Sequence, residues 1–243
     1  MKKILSASIL SIFLVGLISS PALCQNAKDI IEKFIDAQGG REALAAVKDS
    51  TISGSMQIIQ MGIEGQIAMY QKEPNKMRME MEFMGMTQVQ AYDGETGWYI
   101  NPQTGATEEM TDEMASEIRR DAIGNSALLY PEKFGITYEY KGTETIEGKD
   151  YLAVEQTFDD GNRVSMYIDP ESYLLYKTKG KSLNQMGVEV ETESVLSDYK
   201  KVEGIMTPHS ITIYQDGEEF LTMDITEVDY NTGLKDSFFK MTE

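Results

Sequence analysis

The sequence predicts a mainly β fold with a few helices, an α+β chain built on antiparallel strands. Three observations predict it. Apolar residues recur at helical spacing only in short stretches, near residues 27–47 and 110–120. From Asp49 onward, apolar and polar residues alternate with the period of two that a half-buried strand shows. Turn signals such as Asp93-Gly94 separate the alternating segments, which is typical of a meander of antiparallel hairpins.

The first 24 residues predict an export signal. Lys2 and Lys3 precede an apolar run over residues 4–18, and small residues follow it up to Cys24. The run is shorter than the roughly 20 residues that a membrane-spanning helix needs, so we do not expect an integral membrane protein. Cleavage after Cys24 leaves a single domain over residues 25–243, and we expect this domain in the periplasm.

Cys24 is the only cysteine of the chain, and it leaves an alternative open. Acylation of Cys24 would anchor the protein at the outer membrane, although Leu23 directly before it fits a lipoprotein signal poorly. Cleavage after Ala22 is a second choice for removal of the signal. Without Cys24 the mature chain has no thiol, which excludes disulfides, cysteine metal sites and cysteine nucleophiles.

The charge of the chain excludes one class of partner. The formal net charge is −18, and loss of Lys2 and Lys3 with the signal makes it −20. A surface this acidic repels phosphate backbones, so we expect no nucleic-acid partner. It also disfavours passive adsorption to anionic lipid, and most of the charge is explained as a solvated exterior.

Three helices are expected. Residues 27–37 predict the first, and Gly39-Gly40 ends it because glycine suits the left-handed position after a helix. Residues 41–47 predict a second, Ala-rich helix, and residues 110–120 predict a central one. The first helix places its apolar residues on one face, which consists of Ile30, Ile31, Phe34 and Ile35.

Methionine supplies the strongest functional signal. Residues 77–83 alternate most sharply, with three methionines and a phenylalanine facing one way and charged residues facing the other. Half of the 16 methionines lie within residues 56–86. Methionine is unbranched and polarisable, so it adapts to apolar contents of variable shape. The pattern therefore indicates an apolar ligand cavity, and a methionine-rich ordinary core is the alternative that stays open.

The sequence gives little support to catalysis. His209 is the only histidine and is expected in a turn entering a strand, as an ordinary polar loop residue. The chain has no Gly-x-Ser-x-Gly elbow and no glycine-rich phosphate loop. Residues 159–162 predict a hairpin turn rather than a calcium loop. A carboxylate-based hydrolase would need two acids on the concave face, whereas Glu80 and Glu82 are expected opposite it. We expect no enzyme, metal or cofactor.

Several segments, in a shared order, resemble one protein family. They are MYQKEPNKMRME at residues 69–80 and AYDGETGWYINP at residues 91–102, with an opening over residues 30–47 and an ending over residues 199–209 and 236–239. This arrangement resembles a divergent member of the LolA-like superfamily of periplasmic proteins that sort outer-membrane lipoproteins.

The resemblance implies a half-open antiparallel β-barrel covered by helices, with an apolar cavity between sheet and helices. It also implies a non-enzymatic carrier that binds lipid or the acyl chains of lipoproteins. By matching position, Arg78 falls at the family's basic element and Trp98 at its aromatic strand. The cavity lining that we predict consists of Met56, Ile58, Ile67, Met69, Met77, Met79, Met81, Phe83, Trp98 and Met114.

A second hypothesis from a different class is an interaction module with an envelope protein partner. Such a module would use a sheet edge or the apolar loop Leu128-Leu129-Tyr130, which looks exposed in the sequence. Its methionine face would be packed and dry, with no ligand.

Overall fold

The chain forms one large antiparallel sheet with short helices on its inner face. The computed structural model describes residues 26–184 and 187–241, so the predicted export signal lies outside the described residues. Within these ranges 13 strands form a single sheet in the order β6-β5-β4-β3-β2-β1-β13-β12-β11-β10-β9-β8-β7. The strands are β1 Asp49–Ile58, β2 Ile63–Lys72, β3 Lys76–Phe83, β4 Met86–Tyr92, β5 Gly97–Ile100, β6 Thr107–Glu109, β7 Thr137–Ile146, β8 Lys149–Thr157, β9 Arg163–Ile168, β10 Leu175–Leu183, β11 Glu189–Val202, β12 Ile205–Gln215 and β13 Glu218–Tyr230.

The sheet does not close, since β6 and β7 remain its two edges. The predicted fold class, an open antiparallel barrel with helices, is therefore confirmed. Within the described ranges, no helix is both long and apolar enough to cross a membrane. The α-helices are α1 Ala27–Gln38, α2 Arg41–Ala46, α3 Asp112–Asp121 and α4 Ser126–Leu129.

The two N-terminal helices form as the sequence predicts. Asn26 caps α1, because its side-chain oxygen accepts a hydrogen bond of 2.8 Å from the backbone N–H of Asp29. Gly39 ends α1 with a backbone φ of 132°, a conformation that residues other than glycine rarely adopt. The apolar face of α1 packs on strands β8, β9 and β12, against Leu152, Val154, Met166, Ile168 and Ile205.

One non-local strand pair joins the two halves of the sheet. Strands β1–β6 follow one another as hairpins, as do β7–β13, and the pairing of β1 with β13 connects them. The register of this pair shifts between Ser53 and Gly54. A Cβ atom at Gly54 would lie 2.1 Å from the carbonyl oxygen of Asp224, so only glycine allows the strands to approach this closely.

Helix α3 covers the inner face near the β6 edge of the sheet, where it contacts β3, β4 and β5. Thr111 caps it by accepting a hydrogen bond from the N–H of Met114, and Arg119 and Arg120 lie in its last turn, where cations suit the helix dipole. Its buried Ile118 packs with Tyr92 and Met110 on the inner side of the sheet. The predicted central helix is confirmed.

Two predictions about loops are wrong. The segment after α3 is not an exposed loop: it forms α4, with Leu129 only 7% exposed. The carboxylate of Glu73 holds this segment on the sheet by accepting hydrogen bonds from the Asn125 N–H and the Ser126 hydroxyl. His209 lies inside β12, is 9% exposed, and its Nδ1 is 3.0 Å from the carbonyl oxygen of Thr207. Both errors arise because tertiary packing buries segments that are locally polar or turn-like.

The outer face of β2–β5 is covered by residues 236–239, which we call the C-terminal strap. The indole N–H of Trp98 donates a hydrogen bond of 2.7 Å to the carbonyl oxygen of Phe239. The guanidinium of Arg78 lies 4.6 Å from the ring centroid of Phe238 and 5.5 Å from that of Trp98. Lys72 pairs with Asp236 at 2.6 Å, and this partner lowers the pKa of the Asp236 carboxyl.

We expect Phe239→Ala to lower the free energy of unfolding by about 3–5 kcal/mol, because the ring is fully buried and its loss leaves a cavity. Met241→Ala is the matched control at 47% exposure, and it should change stability by no more than about 0.5 kcal/mol. Urea denaturation followed by the fluorescence of Trp98, the only tryptophan, measures both. Equal stability of the two variants would contradict a packed strap.

Candidate ligand-binding trough

The alternating segment of β3 presents its apolar side chains to the inner face. Met79 lies opposite Met69, Met81 opposite Ile67, and Phe83 opposite Gly65 in β2. Directly opposite residues of an antiparallel pair share one face, so the methionines of β3 continue the apolar face of β2. The intervening charged residues of β3 face outward, where Glu80 accepts a hydrogen bond of 2.7 Å from Arg78.

The same face continues across the junction between the two halves. Met56 of β1 lies opposite Met223 of β13, and Ile58 lies opposite Leu221. Met223 in turn lies opposite Ile211 of β12. The residues packed together here, which we call the methionine trough, are Met56, Ile67, Met69, Met79, Met81, Phe83, Ile211, Ile213, Leu221 and Met223.

The trough has a buried base and a partly exposed lining. Met56 and Ile67 are 3% exposed and Met223 is 7% exposed, so these three side chains form the base. The other seven are only partly buried. All ten are uncharged strand residues, and the exposed lining therefore offers apolar surface that water contacts in the free protein.

Helix α3 and the loop before it form one wall. A cleft of about 340 Å³ lies between them and the inner face of β3–β5. Met114 of α3 is 42% exposed and faces this cleft, which Met81 also lines. The cleft adjoins the trough through Met81, and its other inward-facing residues include Gln88, Gln90, Tyr99 and Met110.

Two predicted lining residues lie elsewhere. Met77 is inward-facing but packs with Tyr92 and Met110 under α3, so it belongs to the packed end of the inner face. Trp98 is opposite Ala91, whereas the neighbouring Tyr92 shares the face of Met77. Trp98 therefore lies on the outer face beneath the C-terminal strap, and its assignment to the inner cavity is corrected.

Sequence reasoning missed the wall that β12 and β13 supply. Leu221, Met223 and Ile225 alternate with polar residues, as do Ile211 and Ile213, so the strand pattern itself was readable. What the pattern does not contain is the pairing of β13 with β1, which brings these residues beside the early methionines.

The inner face ends in a small polar pocket beneath α1, α2 and α4. Its volume is about 150 Å³. The side-chain oxygen of Gln38 is buried, and no group in residues 26–184 or 187–241 forms a hydrogen bond with it. The hydroxyls of Thr207 and Tyr230 are 2.8 Å apart, and burial raises the pKa of the Glu73 carboxyl. The residues lining the polar pocket are Gln38, Leu44, Val47, Asp49, Ser50, Ile52, Gln71, Glu73, Asn125, Ile205, Met206, Thr207, Pro208 and Tyr230.

Acidic groups do not form a metal-binding group in the described ranges, where no three of His, Cys, Asp or Glu come together in a suitable cluster. The turn over residues 159–162 binds protein groups instead. Asp160 accepts a hydrogen bond from the Asn162 N–H and pairs with Arg120 of α3 at 2.5 Å. This pair ties the tip of the β8–β9 hairpin to α3.

The division into base and lining predicts unequal stability effects. Met56→Ala should lower the free energy of unfolding by about 2–5 kcal/mol, because it opens a cavity in the buried base. Met79→Ala should cost about 1 kcal/mol or less, since its side chain is already partly solvated. Chemical denaturation measures the free energy of unfolding of both variants. A loss for Met79→Ala as large as that for Met56→Ala would show that the lining is part of a sealed core.

Comparison with solved structures identifies the same fold in several proteins. No family model matches the sequence, and no curated protein matches it. A DUF1329 family protein from Desulfovibrio piger is 18% identical, covering 88% of this chain and 97% of its own, with a TM-score of 0.58. A protein from Vibrio parahaemolyticus that is described as an outer membrane lipoprotein-sorting protein domain is 13% identical. The match covers 88% of this chain and 95% of that one, with a TM-score of 0.58. A LolA superfamily protein from Nitrosomonas europaea is 14% identical. The match covers 89% of this chain and 98% of that one, with a TM-score of 0.59. The chain therefore has the LolA-like fold that its sequence resemblance implied, at an identity that marks it as divergent.

Proposed function

We propose that this protein is a non-enzymatic periplasmic carrier that holds lipids or the acyl chains of lipoproteins in the methionine trough. The observation that carries the proposal is the trough itself, ten uncharged apolar side chains on one inner face, seven of them partly exposed. A monomeric soluble protein rarely leaves a contiguous apolar face open unless that face binds something.

The trough suits a flexible apolar ligand on energetic grounds. Each methylene group moved from water to an apolar surface contributes on the order of 0.8 kcal/mol. A few buried methylenes therefore give measurable affinity after the ordering cost of binding is subtracted. The lining residues Met69, Met79 and Met81 can change rotamer to follow chains of different shape, because methionine is unbranched.

The interaction module is the weaker alternative. That hypothesis placed the contact on a sheet edge or on the apolar loop Leu128-Leu129-Tyr130, and it required a packed methionine face. Leu129 of the loop is buried, and Leu128 packs against the core under α1. The methionine lining is the part that is left partly exposed. Both features favour a ligand in the trough over a partner on the loop.

The shared fold supports the same proposal. One of the solved structures with this fold is described as an outer membrane lipoprotein-sorting domain. The export signal predicted over the first 24 residues would deliver the chain to the compartment where such sorting takes place. Anchoring through Cys24 remains the alternative for its location.

Binding of an uncharged acyl compound tests the proposal. The mature protein should bind the fluorescent probe N-phenyl-1-naphthylamine, and methyl oleate should displace it. Met81→Asp should weaken the binding of the probe and of methyl oleate by at least about tenfold, because a carboxylate in the trough must be desolvated when the acyl chain binds. Gln66→Asp is the matched control, since Gln66 is exposed on the outer face of the neighbouring strand β2.

Circular dichroism of each variant shows that the fold is retained. Failure of the natural protein to bind either compound, or equal losses in Met81→Asp and Gln66→Asp, would contradict the carrier proposal.

The location has its own test. Cleavage after Cys24 predicts a mature chain that begins at Gln25 and carries no lipid. Intact mass spectrometry of the protein purified from its own host measures this directly. A chain that begins at an acylated Cys24 would replace the free periplasmic form with the anchored one.

A further inference from the structure

The polar pocket and the methionine trough are two parts of one inner face. Ile52 and Gln71 line the polar pocket. The cross-strand partner of Ile52 is Met69 of the trough, and that of Gln71 is Met77, so the pocket borders the methionine-bearing part of the inner face. The pocket and the trough are therefore neighbours on one face of the sheet.

The length of this face suits a single acyl chain. From Ile52 to Ile58, strand β1 extends for about 20 Å at roughly 3.3 Å per residue. The chains of one leaflet span about half of the roughly 30 Å hydrocarbon core of a bilayer, which is about 15 Å. A chain of that length fits along the trough with its polar end at the pocket.

The polar pocket contains an unused acceptor, and its described lining carries no basic side chain. The buried side-chain oxygen of Gln38 has no hydrogen-bond partner among the described residues, although buried polar atoms normally have one. Asp49 and Glu73 add carboxylates, and none of the described residues that line the pocket is basic. Lys48 lies nearby, but its ammonium donates to the carbonyl oxygen of Ala45 at 2.8 Å.

The size of the pocket restricts what can enter it. Its volume of about 150 Å³ matches that of an engineered protein cavity that binds one benzene molecule. This is enough for a small polar head group and too little for a large one. A phosphate in the pocket would face two carboxylates in a poorly solvated site, which is strongly unfavourable.

We propose that the polar pocket binds the head group of an amphiphile whose acyl chain lies in the methionine trough, and that it selects an uncharged, hydroxyl-bearing head over a phosphate-bearing one. The hydroxyl donates to the Gln38 side-chain oxygen, and the Thr207–Tyr230 pair provides further polar contacts. This inference rests on the proposed carrier function and adds the chemistry of the ligand.

Three probes that share one oleoyl chain test the inference with the full mature protein: methyl oleate, 1-monooleoylglycerol and oleoyl lysophosphatidate. Isothermal titration calorimetry gives each dissociation constant. We expect 1-monooleoylglycerol to bind about threefold to tenfold more tightly than methyl oleate, as one added hydrogen bond allows. Oleoyl lysophosphatidate should bind more weakly than methyl oleate.

Gln38→Met keeps the size of the side chain and removes the acceptor. This variant should bind 1-monooleoylglycerol only as tightly as it binds methyl oleate. Its affinity for methyl oleate should equal that of the natural protein. Thr207→Val provides a second variant at the pocket. The control is Gln57→Met, because Gln57 is exposed on β1 and faces away from the trough. Thermal denaturation checks that each variant remains folded.

The outcomes separate the two proposals. If methyl oleate does not bind, the carrier function itself fails. If methyl oleate binds but 1-monooleoylglycerol binds no more tightly, the pocket holds water only and the head-group inference is wrong. Tightest binding of the lysophosphatidate, or an unchanged preference in Gln38→Met, would also overturn the inference.

Discussion

The antiparallel pairing of β1 with β13 decides the shape of the inner face. Each of the two meanders alone carries only part of an apolar surface. When Met56 lies opposite Met223 and Ile58 opposite Leu221, the two parts become one trough. The pair also depends on Gly54, since a side chain there would collide with the backbone of β13. This one close backbone approach thus determines whether the apolar face is continuous across the two halves.

The two faces of this sheet have different roles. On the outer face, the strap buries Phe239 and engages Trp98, and charged residues such as Glu80 contact solvent or one another. On the inner face, helices cover both ends and leave the middle partly exposed. The strongly negative charge of the chain therefore keeps the exterior solvated, while the trough itself remains uncharged. This separation leaves an apolar surface on the inner face of a strongly charged protein.

Local patterns predicted the elements, and non-local contacts explain the errors. Period-two alternation correctly gave Met79 and Met81 a common face, and helical spacing located α1 and α3. Trp98 was misplaced because Trp98 and Tyr99 are both aromatic, so alternation cannot tell which of them faces inward. Met223 was missed because its partner Met56 lies far away in sequence, and no local pattern specifies that pairing. The polar pocket was missed for the same reason, since it forms only where α1, β1 and β12 meet.

The proposed carrier function requires an acyl chain to occupy the methionine trough. Photo-crosslinking with an oleoyl compound that carries a diazirine in its chain tests this most directly, with adducts located by mass spectrometry of peptides. We expect adducts on inward-facing residues of β3, β12 and β13, such as Met79, Met81, Ile213 and Leu221. Adducts confined to the outer face, or no adducts above those of a denatured control, would contradict it.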